Sequence, residues 1–221
     1  MTIFDILTQY RQEWIQGLLV TLKLSAIIWG GGLVCGALLG VAGAKWNDIV
    51  GIPCKIASFI LSGMPLLVFL FWLHYPLQAY YQIVVDPFLT AAIALTIVNT
   101  LLVADSIRGA LNDFPKQYLA AAKVCGLDNY DTIVKIQFPI IFRQVIPSLL
   151  SLQVNMLQAT IFASLISVDE VFRIAQRINS EVYRPIEIYT ALAILFLAVC
   201  LPLHGFSKWL RFRHTRDLSE A

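Results

Sequence analysis

The chain has 221 residues, of which 58% are hydrophobic and only 14% charged, with a net charge of +2 and a mean hydropathy of +0.74. A water-soluble domain of this size needs a charged shell that this composition cannot supply, so the chain reads as an integral membrane protein. The slight positive balance gives no warrant for nucleic-acid binding.

The charges are gathered between long apolar runs. Stretches free of Asp, Glu, Lys and Arg cover 24–44, 56–85, 87–104, 144–168 and 188–207, each close to or above the roughly 18–20 residues a helix needs to cross the hydrocarbon core. Backbone groups in lipid must pair within their own segment, and runs without a period of two exclude a barrel. The expected fold class is therefore all-α transmembrane, one domain over 1–221, with about five spans at 15–44, 53–77, 87–111, 144–168 and 187–210. Basic residues favour the cytoplasmic side. Lys45, Lys55, the basic residues from Arg108 to Arg143 and those from Lys208 to Arg216 fall in one set of connections, against Arg11, Arg173, Arg177 and Arg184 in the other. The N-terminus is expected outside and the C-terminus in the cytoplasm.

The first residues, MTIFDILTQYRQEW, lack a basic start and carry Asp5 and Glu13, so no cleavable signal peptide is expected. Phe4, Ile6, Leu7, Tyr10 and Trp14 form an amphipathic leader expected along the outer interface. In span one, Gly32, Gly36, Gly40 and Ala44 recur every four residues, a small-residue face that admits another backbone, within the chain or on another subunit. Lys23, about two turns inside, is expected to snorkel or pair locally. Span two carries Ser62-Gly63-Met64-Pro65, which should bend or interrupt it, and Trp72, His74, Tyr75, Tyr80 and Tyr81 then mark the outer interface. Cys35, Cys54, Cys125 and Cys200 lack paired spacing and read as apolar packing residues.

Span three begins at Asp86-Pro87. Its Asp105 and Arg108, three apart, can pair as a gate or brace at the inner mouth, or as an interfacial ion pair. In span four, Gln144, Ser148, Ser151, Asn155 and Gln158 keep to one helical face. The face reads as the wall of a solute path or as an interhelical hydrogen-bonding surface. Asn155 and Gln158 lead the candidates for that wall, with Asn99 and Thr100 from span three. Thr160 opens a second stripe with Ser164 and Ser167 that also reads as packing.

Between spans three and four lies a connection far longer than a turn, PKQYLAAAKVCGLDNYDTIVKIQFPIIFRQVIP over 115–147. Pro115 suits a first helical turn, Ala120, Ala121 and Ala122 are strong helix formers, and Gly126 ends a helix. Asp128 or Asn129 can cap a second helix over 130–137 before Pro139. Tyr118, Leu119, Ala121, Ala122 and Gly126 are the candidate partner-binding surface, with Ala121 and Ala122 expected as an exposed low knob. In the outer connection, Glu170 and Glu187 lie among Arg173, Arg177 and Arg184, a surface for an external partner, a cap over the path, or solvated loop charge.

At these residues the chain resembles the permease subunits of ATP-binding cassette importers, in particular the polar amino-acid branch. The loop pattern matches at Ala121-Ala122, Gly126, Phe138-Pro139, Arg143 and Pro147. The branch's acidic-x-x-Arg-Gly motif matches at Asp105 to Gly109. Gly17 to Ser25, Gly63 to Val68, Leu157 to Glu170 and Tyr183 to Glu187 extend the likeness over about 17–200. The chain departs from the pattern at Ser62, Leu102, Ala120 and Gln158, where the family has Arg, Tyr, an acidic residue and Lys. The resemblance implies a coupling loop at about 115–140, gripped by a cytoplasmic dimer of ATP-binding cassette ATPase subunits. It also implies a second permease copy or a paralogue, an extracytoplasmic solute-binding protein, and a place in the bacterial inner membrane.

No GxxxxGK[ST] phosphate loop occurs in the sequence, so ATP and Mg2+ are expected on the partner and no cofactor on this chain. His74, His204 and His214 are isolated, no metal or catalytic spacing appears, and the chain is not expected to be an enzyme. The expected function is inward, ATP-driven transport of amino acids by alternating access. The alternatives are a permease of the same kind for another small polar solute, or a stand-alone secondary carrier or channel, for which no inverted repeat speaks.

Overall fold

A computed structural model describes residues 2–219, with side chains to residue 213; His214 and Arg216 therefore lie outside the described side chains. Every described element is helical. In chain order they are α1 (Ile3–Gln9), α2 (Arg11–Lys45), a π-helical turn (Asn47–Gly51), α3 (Ile52–Gly63), α4 (Leu66–His74), α5 (Pro76–Tyr81), α6 (Pro87–Asn112) and α7 (Lys116–Val124). Then follow α8 (Asn129–Thr132), a second π-turn (Ile133–Gln137), α9 (Phe138–Ala159), a 3-10 turn (Thr160–Ile166), α10 (Val171–Val182) and α11 (Pro185–Ser219). Among the described residues four helical stretches are long and apolar enough to cross a bilayer, 11–45, 87–112, 129–166 and 185–213. A bent pair, 47–63 with 66–81, makes a fifth if counted as one span.

The bend at the second span is the one the sequence demands. Met64 precedes Pro65, whose ring excludes the helical region for its neighbour, and Met64 is extended at φ −109°, ψ 129°. Pro65 follows at ψ 134°, and the two halves meet at 99°. The span expected over 53–77 is thus interrupted into two half-helices.

Span four differs from expectation at its start. The second loop helix over 130–137 is not separate: the helix runs unbroken over 129–166, 38 residues, instead of starting at 144. Asp128 caps its first turn, accepting from Asp131 N at 2.6 Å. Pro139 does not end it because the π-turn just before absorbs the missing donor; Phe138 N reaches back five residues to Ile133 O. At about 1.5 Å per residue the whole stretch is about 57 Å long, well beyond a hydrocarbon core of about 30 Å, so one end must project.

α2 and α6 form the densest helix pair. The alignment of small residues along α2 serves contacts within the chain. A Cβ on Gly32 would lie 2.2 Å from Asn99 Nδ2, one on Gly36 2.7 Å from the Thr100 carbonyl, and one on Gly40 2.9 Å from the Ala104 carbonyl. The face continues to Gly43, which is buried, rather than to the half-buried Ala44. Around this pair Leu24, Ile28, Leu70, Leu95 and Ile166 form the main core. α1 packs on protein as well as facing outward. Its Ile6 joins Trp14, Ile174, Ile178 and Ile188 in a second core, whereas Phe4 is 73% exposed. Lys23 is exposed, its ammonium 5.4 Å from the centre of the Phe88 ring, the local pairing expected of it.

Gly36→Ala forces backbone apart and should cost about 1–3 kcal/mol. Gly30→Ala, where nothing lies within 4 Å of the added carbon, should be neutral or stabilising by up to about 1 kcal/mol. Thermal unfolding of the detergent-solubilised variants measures both, and equal losses would remove the close-packing account.

Candidate solute path and its brace

Three helix faces meet around a cleft of about 430 Å³. α9 supplies Ser148, Ser151, Leu152 and Asn155, at positions i, i+3, i+4 and i+7, and so one stripe. α11 supplies His204, Ser207, Lys208 and Arg211 with the same spacing, and α6 supplies Leu102 and Ser106. Ser207 ties the floor: it is buried, donates to the Pro147 carbonyl at 2.7 Å, and lies 2.8 Å from Ser151 Oγ. Pro147 lacks an N–H, so its place in the helix leaves a carbonyl without its usual partner and loosens the wall at that turn. A second cavity of about 200 Å³ is lined by Ser58, Ser62 and Met64 beside the helix break, together with Val98 and Leu101. Leu102 lines both spaces.

The structure sorts the proposed path residues. Asn155 faces the cleft and is exposed; Gln158, next on the stripe, is exposed on α9 but does not line the cleft. Asn99 is fully buried elsewhere. Its Nδ2 donates to the Ile28 carbonyl at 3.0 Å and to Gln153 Oε1 at 2.9 Å, and Gln153 Nε2 returns a 3.3 Å bond. Trp29 Nε1 donates to the Gln153 carbonyl at 2.9 Å. This amide pair joins α2, α6 and α9 inside the apolar core. Thr100 is buried against Gly36 and Thr160 is buried with its hydroxyl on the Leu157 carbonyl at 2.7 Å. Asn99, Thr100 and Thr160 thus sit in packed protein in this conformation.

Ser106, His204, Ser207, Lys208 and Arg211 were not among the path candidates read from the sequence, and Gln153 was not singled out at all. The α11 stripe was visible as an i, i+3, i+4, i+7 polar set at the end of the last span. Gln153 lies off the α9 stripe, and its signal was that an amide buried in a span needs a second amide to pair with.

Asp105 and Arg108 pair on α6, and Arg108 also donates to the Gly51 carbonyl at 3.2 Å. Arg108 is only 7% exposed, and Gly43 and Gly51 close around it: a Cβ on Gly43 would lie 3.5 Å from its Cδ and 3.4 Å from the Gly51 Cα. The pair braces the end of α6 to the turn joining the first two spans.

In the loop, α7 ends as expected. Gly126 has φ +76°, and Leu127 N donates back to the Ala122 carbonyl at 3.1 Å, the left-handed termination that favours glycine. The knob is corrected in one respect: Ala121 is exposed but Ala122 is 2% exposed, because it faces the helix packing beneath. Tyr118 and Leu119 are half-buried among Phe114, Ile136, Ile140 and Ile141, between the ends of α6 and α9. Outward stand Val124 at 88% and Tyr130 at 71% exposure.

On the other side, Glu170 caps α10, accepting from Phe172 N at 2.9 Å and Arg173 N at 2.8 Å. It is fully buried. Burial raises its carboxyl to about 7, against the lowering pull of those two N–H groups and of Arg173. Arg173 is itself shared with the Ser164 carbonyl at 3.0 Å and Asp169 at 3.2 Å. The other acid, Glu187, pairs with Arg184 at 3.2 Å near the surface.

The chain matches the family described as binding-protein-dependent transport system inner membrane components over residues 32–216. It is 28% identical to the glutamine transport system permease protein GlnP of Escherichia coli over 190 residues, 86% of this chain and 87% of that protein. It is 25% identical to the arginine ABC transporter permease protein ArtQ of Haemophilus influenzae, covering 87% and 92%. Among solved structures, an amino acid ABC transporter with histidines superposes with a TM-score of 0.83 at 23% identity, over 95% of this chain and 96% of that one. An inward-facing methionine transporter, MetNI, gives 0.72 at 15% identity, over 92% and 97%.

Two outcomes check the site. Asn99→Leu orphans the Gln153 amide and should cost about 1–3 kcal/mol of stability, whereas Asn155→Leu should leave the melting temperature unchanged and reduce transport. For Glu170, the folded-state value lies above the ordinary 4.5, so the native state holds the extra proton. Stability is full below about 4.5, declines as pH rises through about 7, and the loss reaches at most about 3 kcal/mol above it. Glu170→Gln should flatten unfolding curves over that window, and an unchanged slope would assign the pH dependence elsewhere.

Proposed function

We propose, from the premise that this chain belongs to the binding-protein-dependent transport system inner membrane components, that it is the permease subunit of an ATP-driven amino-acid importer. A separate pair of cytoplasmic ATPase subunits burns the nucleotide, and an extracytoplasmic binding protein delivers the solute. Two permease chains, identical or paralogous, enclose the route. The glutamine and arginine permeases among its relatives support the amino-acid class.

The observation that carries the reading is the seating of α7. It is wedged by Tyr118 and Leu119 between the ends of α6 and α9, the two helices that also supply Leu102, Ser106, Ser151 and Asn155 to the cleft. Its exposed face carries the small apolar Ala120, Ala121 and Val124, and Tyr130 of α8 is exposed as well. A partner that grips this side moves α6 and α9 together and so changes the width of the cleft. The ATPase does so by preferring one of two arrangements in its ATP-bound form, which shifts the population of open faces. The basic connections are cytoplasmic in this reading, with the N-terminus outside.

Val124→Asp should leave the melting temperature of the isolated chain unchanged and weaken ATPase association by about 10–100-fold, the range of a central apolar contact. Gly126→Val, strained at φ +76°, should leave a complex that hydrolyses ATP without matching vanadate-sensitive uptake. Co-purification and uptake in reconstituted vesicles read both, and transport by this chain alone under an ion gradient would replace the importer with a carrier.

A further inference from the structure

Ser207 of α11 departs from the local bonding of hydroxyls elsewhere in the spans. A Ser or Thr inside a helix ordinarily donates to its own chain one turn back. Thr21 does so to the Gly17 carbonyl at 3.0 Å, Ser25 to the Thr21 carbonyl at 2.8 Å, and Thr190 to the Ile186 carbonyl. Ser207 instead donates across to the Pro147 carbonyl of α9 at 2.7 Å. Its single proton is thereby used, so the 2.8 Å contact between the two hydroxyls is closed by Ser151 donating to Ser207. Pro147 stands one turn before Ser151, and its carbonyl is the one that Ser151 would take by itself. The α11 hydroxyl is thus inserted into a bond that α9 could close alone.

Both helices are softened near this level. Pro147 leaves the Arg143 carbonyl without its intrahelical donor, and Pro202 does the same to the Ala198 carbonyl of α11. We propose that Ser207 is a positioning residue for transport: with Ser151 it forms a reversible clip between two walls of the cleft, closed in this conformation and opened during the cycle. The clip presupposes the permease reading above. Closed, it holds two hydrogen bonds, Ser151 to Ser207 and Ser207 to Pro147. Open, Ser151 returns to the Pro147 carbonyl and Ser207 to the Leu203 carbonyl one turn back, so the number of bonds is kept. Such an exchange costs little, and a partner that prefers one arrangement shifts it. Ser148 on α9 and His204 on α11 line the cleft within one turn of the clip. Parting the two helices there widens the space between them.

The test is disulfide trapping in the full chain with its ATPase subunits, held in nanodiscs or vesicles. Ser151→Cys and Ser207→Cys are combined in a chain whose Cys35, Cys54, Cys125 and Cys200 are replaced by alanine. The short hydroxyl contact puts the two positions within reach of an S–S bond. Copper-phenanthroline should link them at rates that differ about fivefold or more between the nucleotide-free complex and the complex trapped with ATP and vanadate. The bridge should abolish uptake, and dithiothreitol should restore it. In the chain with its native cysteines, Ser207→Ala should change solute-free ATP hydrolysis about two- to tenfold, the weight of one hydrogen bond. Its melting temperature should stay near that of the unaltered chain, because Ser151 falls back on Pro147. Linking at equal rates in the two states, no linking in either, uptake that persists across the bridge, or hydrolysis unmoved by Ser207→Ala overturns the proposal. Failure of the permease reading shows separately and earlier, as absence of ATPase co-purification, and removes the clip with it.

Discussion

The close approach of α2 to α6 is the constraint on which the rest depends. In a bilayer the lipid is as apolar as the side chains, so helices gain little from hiding apolar surface and associate through contact and hydrogen bonds. Glycines at 32, 36 and 40 let the backbone of α2 lie against Asn99, Thr100 and Ala104 of α6. That approach brings Asn99 within reach of both the Ile28 carbonyl and Gln153. The same contact ends at Gly43 and Gly51, where Arg108 closes the seam. One line of missing side chains thus fixes a buried amide pair at one level and a half-buried ion pair at another.

A rigid α2–α6 pair leaves the variable part of the protein on the opposite side of α6. There Leu102 and Ser106 face the cleft, and the half-helices around Met64 border the smaller cavity. Breaking a span costs backbone hydrogen bonds, which are tolerated where protein or water can replace them. The break is therefore at home next to a cavity lined by Ser58 and Ser62. Asn155 and Ser151 on α9 complete a polar surface that a lipid-facing helix would not keep.

Most of the architecture was legible because it follows from apolar length, proline and glycine. The break at Met64-Pro65 and the left-handed Gly126 are local consequences of residue chemistry and need no tertiary knowledge. The start of span four was not legible: Pro139 reads as a stop, and only a π-turn, which has no sequence signature as clear as a proline, lets the helix pass through it. The polar stripe on α9 gave one wall of the cleft, but which polar residues face a cavity depends on the rotation of each helix. Asn99 and Asn155 are both intramembrane asparagines; only packing distinguishes the one locked against Gln153 from the one open to the cleft. The wall on α11 was missed because its cations sit near a membrane boundary, where basic residues occur for reasons of topology alone.

The unbroken helix over 129–166 has a mechanical consequence. A joint at 138 would let the loop swing while the membrane portion stayed still. The helix passes through 138 without a break, so a tilt of the loop end is carried into the membrane portion where α6 packs against it. With about 24 Å of shaft on the Tyr130 side of residue 145, at about 1.5 Å per residue, a tilt of about 5° carries that tip about 2 Å. On the opposite arm Asn155 lies ten residues, about 15 Å, from that point and answers with about 1.3 Å, so a push of the size of one side-chain rotation still reaches the solute route.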